Sequence, residues 1–517
     1  MNEAIFQGIL LRTAQAAIEA SMTVLCGLLV VGVMRRMLGT EGVRKLFGGF
    51  GARGLLRAWG VGTLLPVCSL GVIPIACEMR RCGVRSGTVL AFVLAAPHIN
   101  PLSLLYGLTL SEPMVIICFA IGSLMMAVTA GALWEFFLAR AEDTPPPEPE
   151  TLPAPGLKRL LSVLITAGQE SVRPAMLYVL LGVSVTGLAS GLLPHGCLSH
   201  TMRHDDPTSP LLMTAIATPL YAGPLQGMMR LGLIFEHGNS AGAAFALFEL
   251  GIGVNAGLFV WMATLYGVRR VTVWFAVIMA MTVGLAYVAE RTLYFAHEEA
   301  SHTHAFDEWT SPFPADSSVG WAEVRQKLLQ KIEVLEPVSV GGLALLMVVG
   351  WLARRLDRAG GLERWLVRRP PVSGRPTSLL NRQVPGPVLG IFALLGLVAF
   401  SIAALFIYYP APQATFDEIA QVRAEAMTAV NTGNKEEAIR QIQHWDLLTR
   451  KLQVGVFIRT GRMDKEAGQA TEDLRECLEE LRDTLLADNP AGARQLVAVV
   501  SAAHRKCRDA YAAFMDK

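Results

Sequence analysis

Apolar windows of about 20 residues, the length that spans a bilayer core as helix, recur at 14–33, 86–108, 114–137, 175–193, 241–266, 271–288, 338–352 and 388–408. Two further apolar runs, 61–76 and 211–234, are broken by Pro and Gly. With 52% hydrophobic residues, 17% charged residues and a mean hydropathy of +0.42 over 517 residues, the chain needs lipid as its solvent. The expected fold is all-α: a polytopic membrane protein of about ten membrane segments. The near-neutral net charge of +2 gives no support for a nucleic-acid partner. Eight cysteines without a CxxC pair, most of them in apolar runs, argue against a disulfide framework. MNEAIFQGILLR lacks a basic leader region, so the first run is expected to be a retained span.

The broken run at 66–77 reads PVCSLGVIPIAC. A lipid-facing helix does not tolerate such interruptions, because unpaired backbone groups have no water to bond in the bilayer core. Basic residues stand on both sides of it: Arg35, Arg36, Arg44, Lys45, Arg53 and Arg57 before, Arg80, Arg81 and Arg85 after. Lys158, Arg159 and Arg173, then Arg269 and Arg270, then a cluster from Arg354 to Arg382 continue the pattern. Lys and Arg mark cytoplasmic loops. Two cytoplasmic flanks require a re-entrant hairpin, whereas a simple proline kink in a spanning helix is the rival reading. With a hairpin, parity places the tail after Tyr409 outside, and the chain in a cell inner membrane with lipid as its constant partner.

The Pro- and Glu-rich stretch at 141–157 reads as a stiff linker. It separates a first permease-like half (1–140) from a second (158–291); an outside loop and two additional spans (292–410) and a soluble helical bundle (411–517) follow. The halves resemble each other. GVRSGTVLAFVLAAPHIN at 83–100 and GNSAGAAFALFELGIGVN at 238–255 share Gly83/Gly238, Gly87/Gly242, Ala91/Ala246 and Asn100/Asn255, each 155 positions apart. A Pro-broken segment precedes both, and the expected orientations are opposite. Inverted repeats with broken helices at matching places characterise secondary transporters with a site near the midplane.

PVCSLGVIP, the basic turn after it and the AFVLAAPHIN run together resemble the predicted-permease family that includes the organoarsenical efflux permeases, over roughly Thr13 to Arg291. The resemblance implies a transporter rather than an enzyme, one that handles a soft metalloid solute through the thiols of its first signature. That signature usually reads CSC in the family. Cys68 matches the first thiol and Leu70 stands at the second, with Cys77 and Cys82 nearby.

Candidate solute-binding residues are Pro66, Cys68, Ser69, Gly71 and Pro74 in the first break, Pro97 and Asn100 at the end of the following helix, and Pro219, Pro224 and Asn255 in the second half. For the two asparagines, packing between helices is the rival role. Glu249, His98 and Glu19 are ionisable groups within apolar runs, and an intramembrane ionisable group is a functional candidate by default. Glu249 is the expected proton-coupling carboxylate, against a purely structural one; Arg230 is expected to snorkel to the interface. His297, His302 and His304 in HEEASHTH offer imidazoles suited to Zn or Cu, against a solvated polar loop.

From residue 415 the pattern becomes four amphipathic helices. The ending HRKCRDAY resembles the haem-attachment end of cytochrome c-prime-like bundles, but His504 and Arg508 replace the first Cys and the axial His, so no cofactor is expected. GxxxxGK[ST] is absent, so ATP does not supply the energy from this chain. The expected function is a permease exporting a small or soft solute by alternating access. The alternatives are a membrane sensor or scaffold presenting an outside bundle, to a periplasmic partner or a second copy, and a redox membrane protein.

Overall fold

A computed structural model of the chain describes residues 3–49, 51–99, 113–147, 157–198, 202–203, 206–224, 227–228, 231, 240–293, 309–314, 319–330, 332, 335–357, 361–362, 364, 386–462 and 464–515. The chain forms two compact units, one through Ser401 and one from Ile402. Both are helical, and no strand occurs among the described residues.

The larger unit opens with α1 (Glu3–Val33), which widens into a π-helical turn at Met34–Leu38, and α2 (Gly39–Phe47). Next come α3 (Ala52–Gly62), α4 (Val72–Arg81), α5 (Ser86–His98) and α6 (Pro113–Leu133). At 11 and 10 residues, α3 and α4 are each about 16 Å long, half of what a bilayer core requires. Gly54 at the start of α3 packs beside Thr88 at the start of α5, and Gly62 at its end packs on Ala96 near the end of α5. The end of α4 leads through a short turn into that same start of α5, with the Val84 N–H bonded to the Met79 carbonyl. Both feet of the hairpin therefore share one side of the unit. Its tip is the non-helical stretch ending at Gly71. Pro74 lies in the first turn of α4, where a missing N–H leaves no bond unmade.

The second half comprises α7 (Leu157–Ser171), α8 (Ala175–Leu192), α9 (Ser209–Ala217), α10 (Ala241–Ala246) with its π-helical continuation Leu247–Ile252, α11 (Ala256–Tyr266) and α12 (Val268–Thr292). One expectation needs refinement here and one needs correction. The window at 241–266 is broken rather than straight: its helices meet at an angle of 56°. Gly251, Gly253 and the Asn255 side chain, which accepts from the Leu258 N–H at 2.9 Å, end one helix and start the next. The stretch read as a basic loop before 175 is instead α7. Its Leu160, Leu161 and Leu164 are exposed while Arg159, Ser162 and Thr166 are buried, so the hydropathy average conceals an amphipathic helix. After α12 come α13 (Trp321–Gln330), α14 (Leu335–Leu356) and α15 (Gly386–Tyr408). Among the described residues five helices are long and apolar enough to cross a membrane, six if the bent pair counts as one.

The same contacts recur in both halves. The Gly87 N–H donates to Glu135 at 3.2 Å, and 155 residues later the Gly242 N–H donates to Glu290 at 2.6 Å. A Cβ on Gly87 would lie 2.6 Å from the Gly131 carbonyl oxygen, and one on Gly242 would lie 2.6 Å from that of Ala286. Gly62 meets Ala96 as Ala217 meets Gly251. The matching long helices run antiparallel: Gly187 and Gly191 of α8 pack on Thr13 and Ile9 at the start of α1, while Glu170, just before α8, reaches Arg35 at its end.

The smaller unit contains α16 (Pro412–Thr432), α17 (Lys435–Thr460), α18 (Lys465–Leu486) and α19 (Pro490–Met515), which share one apolar core including Ile419, Trp445, Leu474 and Val500. Gly433 and Gly461 take left-handed conformations at the ends of α16 and α17, where a side chain is disfavoured. Asp446 lies between Arg450 and Arg475, whose charges and hydrogen bonds outweigh its burial and hold its carboxyl at about 2.

Candidate functional site

The two halves meet at His98 and Glu249. His98, from the end of α5, is fully buried, and Glu249, from the π-helical stretch after α10, is 2% exposed. His98 Nε2 lies 3.1 Å from the Glu249 carbonyl oxygen and 3.5 Å from its Oε2, and His98 Nδ1 lies 3.2 Å from Ser123 Oγ on α6. When the Ser123 hydroxyl donates to Nδ1, the Nε2 proton is directed at Glu249. Two features of the backbone make the contact. Gly253 gives way to the imidazole, since a Cβ there would lie 2.1 Å from His98 Nε2. The π-helical turn re-aims the Glu249 side chain, a distortion common at functional sites. Phe119, Phe245 and Phe248 wall the pair, with the Phe248 ring 4.9 Å from the imidazole. Glu249 Oε1 is buried without a hydrogen bond. A polar atom so placed costs about 1–3 kcal/mol, so the site carries a destabilising group that packing alone does not explain.

A second polar group forms where the hairpin tip and the loop after α9 touch one face of α1. Glu19, Thr23 and Gly27 are spaced i, i+4, i+8 along that face. Glu19 Oε1 accepts from the Gly223 N–H at 2.7 Å, in the loop after α9. Thr23 Oγ1 donates to Cys68 Sγ at 2.9 Å, in the hairpin tip, and the Gly71 N–H reaches the same sulfur at 3.3 Å. Gly27 and Gly71 pack backbone to backbone; a Cβ on Gly27 would lie 2.2 Å from the Gly71 carbonyl oxygen. Tyr221 enters from the loop after α9, its N–H bonded to Thr186 at 2.9 Å and its buried hydroxyl without an aligned partner.

The sequence model of a family described as Predicted permease (ArsP_1) matches residues 5–291. The chain belongs to the predicted permease family. That match begins in α1 and closes within α12, so it takes in both halves and both polar groups, while α13 to α19 lie beyond it. No curated protein and no solved structure matches the chain.

Other expected site residues of the permease are scattered more widely. Cys68 is fully buried, because the tip backbone closes on α1. Ser69 beside it is buried with its hydroxyl unbonded, as is Asn255 Nδ2. Pro66, Pro97 and Pro224 are buried and Pro219 is half-buried, all at or beside helix breaks. Asn255 caps α11; its expected mate Asn100 lies outside the described residues, as do Arg230 and the loop histidines His297, His302 and His304. Among the described residues no group of three His, Cys, Asp or Glu side chains is placed to hold a metal ion.

Sequence reasoning missed Ser123, Thr23, Tyr221 and Gly253, small or aromatic residues inside apolar runs that carry no signal until a partner half is folded against them. It also misplaced Arg35 and Arg36. Taken as loop charges, they are 7% and 4% exposed. Arg35 bridges Glu78 of α4 and Glu170 of α7, and Arg36 Nε donates to Thr166 Oγ1 at 2.7 Å. The available signal was carboxylates, in CEMRR and GQES, at the edges of apolar runs.

Proposed function

We propose that this permease exports a small or soft solute, a metalloid or organometalloid compound, by alternating access of its two halves, with protons loaded and released at the His98–Glu249 pair. The observation that carries the reading is the contact between these two groups. They are separated by 151 residues, come one from each half, and lie buried where a relative movement of the halves must change their surroundings. Cys68, held by Thr23 where the hairpin tip meets α1, is the thiol on the solute's path, and the neighbouring Ser69, Tyr221 and Asn255 supply polar atoms to it. The hairpins are re-entrant, the basic ends of α1, α4 and α14 face the cytoplasm of a cell with an inner membrane, and about ten segments enter the bilayer. The four helices from residue 412 then stand outside as a soluble bundle available to a periplasmic partner or a second copy.

The test is a resistance panel. Cells with and without the gene are challenged with trivalent arsenicals, antimonials and other soft or small solutes, and efflux is followed in vesicles under an imposed pH gradient. Raised tolerance to at least one soft solute, together with gradient-dependent flux, is expected. Unchanged tolerance across the panel removes the export reading.

A further inference from the structure

We propose that the buried charge cluster at the basic end of α1 is a latch that holds the cytoplasmic side of the permease shut. The proposal rests on the alternating-access reading for what the latch controls, and on the cluster's own geometry for its existence.

Three elements converge there. Arg35 sits on the π-helical turn that ends α1. Its Nε and Nη2 donate to Glu78 Oε2 at 3.0 and 2.5 Å, and its Nη1 donates to Glu170 Oε1 at 2.5 Å. Glu78 is in the outgoing arm of the first hairpin and also accepts from Arg81, at 2.8 Å. Glu170, at the end of α7, is met by Arg173 at 3.2 Å. Arg35, Glu78 and Glu170 are 7%, 1% and 6% exposed, so the arginine's fork is spent on two carboxylates from opposite halves. A buried pair of this kind adds little to net stability, because desolvation offsets attraction, but losing one partner leaves a stranded charge. It therefore acts on which conformation is held rather than on how firmly the chain folds. Water entering from the cytoplasmic side has to separate α1, α4 and α7 at this point.

The repeat supplies the comparison. At the 155-residue spacing that relates the halves, the counterpart of Arg35 is Ser190 and that of Glu170 is Gln15, both uncharged. Ser190 is buried near the opposite end of the unit, one residue from where Gly191 packs on Ile9. One end joins the halves by ion pairs; at the other, Gly187 and Gly191 pack on Thr13 and Ile9 while Arg12 Nη1 donates to Gln15 Oε1 and its Nε to the Thr310 carbonyl, both at 3.0 Å.

Cys82 is a native reporter. It is 1% exposed, with its sulfur 4.0 Å from Glu78 Oε1, whereas Cys197 is exposed. The full-length protein in detergent micelles, where both ends are open to solvent, is treated with a maleimide, and labelling of each cysteine is timed by peptide mass spectrometry. Labelling of a buried thiol scales with the fraction of time its shield is open. Cys82 is expected to react slowly in the wild type and about tenfold faster in Glu170→Gln, the loss expected for one charge-assisted hydrogen bond. Arg35→Lys, which keeps the charge but breaks the fork, should act in the same direction, with Cys197 unchanged. Unchanged Cys82 rates in both variants, each eluting as a single species, overturn the latch; so does an equal acceleration at Cys197, which signals general loosening. The labelling needs no solute: latch-dependent rates in a protein without flux would support the latch while removing the transport reading.

Discussion

The two halves of the permease core share a backbone plan and differ in what they bury. Each has a short helix followed by a broken stretch, a helix whose N-terminal glycine packs on a carbonyl of the next long helix, and a carboxylate, Glu135 or Glu290, that accepts from that glycine's N–H. These contacts concern backbone and small side chains, which a repeat retains if the helices are to approach at all. The chemistry-bearing positions are unpaired between the halves. The repeat counterpart of His98 is Gly253, the residue whose missing side chain leaves room for the imidazole. The counterpart of Glu249 is Leu94, and that of Cys68 is Gly223. One half supplies a group and the other the space for it, so a symmetric frame encloses an asymmetric site. Function here follows from departures from the repeat rather than from the repeat itself.

The largest effect is expected at Glu249. Glu249→Gln keeps size and hydrogen bonding but removes titration, so gradient-driven accumulation should be abolished while counterflow exchange survives. The matched change, Leu94→Ala, should leave coupling intact. Accumulation at the wild-type rate in the Gln variant would make the two positions equivalent and undo the comparison.

Next comes the space itself. Gly253→Ala places a Cβ 2.1 Å from His98 Nε2 and 2.4 Å from the Glu249 carbonyl oxygen. Neither can yield without breaking the contact, and overpacking of this kind costs about 1–3 kcal/mol. A lowered melting temperature in detergent and impaired transport are expected together. Normal values for both would show that the close approach is dispensable.

The two carboxylate caps give a smaller difference. Glu290 accepts from Ser240 Oγ and the Gly242 N–H, both at 2.6 Å, whereas Glu135 is paired with a 41%-exposed Arg85. Glu290→Gln should cost about 1.5–3 kcal/mol as a charge-assisted bond is lost, and Glu135→Gln about 0.5–1 kcal/mol as for a surface pair. Thermal unfolding of the two variants side by side measures the gap, and equal losses would make the caps equivalent.

The smallest effect lies outside the repeat. In the unit from Ile402, burial and the neighbouring Arg423, Arg508 and Arg505 hold His504 at about 4. The folded state thus favours neutral imidazole. The corresponding stability is fully present above the ordinary value near 6.5 and is lost as pH falls toward about 4. The Trp445 ring lies 5.5 Å from His504. Quenching of Trp445 emission below pH 5, absent in His504→Phe, checks this titration, and quenching complete by pH 6 would contradict it.

Much of the frame was legible in the chain because lipid leaves few options. Length and apolarity identify spans, the Pro-Gly break identifies a hairpin, and basic flanks place its feet together; α1, α6, α8, α12 and α14 lie where hydropathy puts them. The reading went astray where averages conceal geometry. Amphipathic α7 looks like a loop, Arg35 and Arg36 look solvated, and the break before Asn255 is marked only by glycines and a capping amide. For the site, the sequence by itself determined which groups were costly enough to need a reason: Glu249, His98, Glu19 and a thiol in a broken helix. Only the tertiary structure decided that His98 and Glu249 meet, that Ser123 orients one of them, and that Cys68 is held by Thr23. The physical reason is that burial cost is a property of a residue and its neighbours along the chain. A hydrogen bond is a property of two atoms within about 3 Å, and in a repeat protein those atoms come from opposite halves.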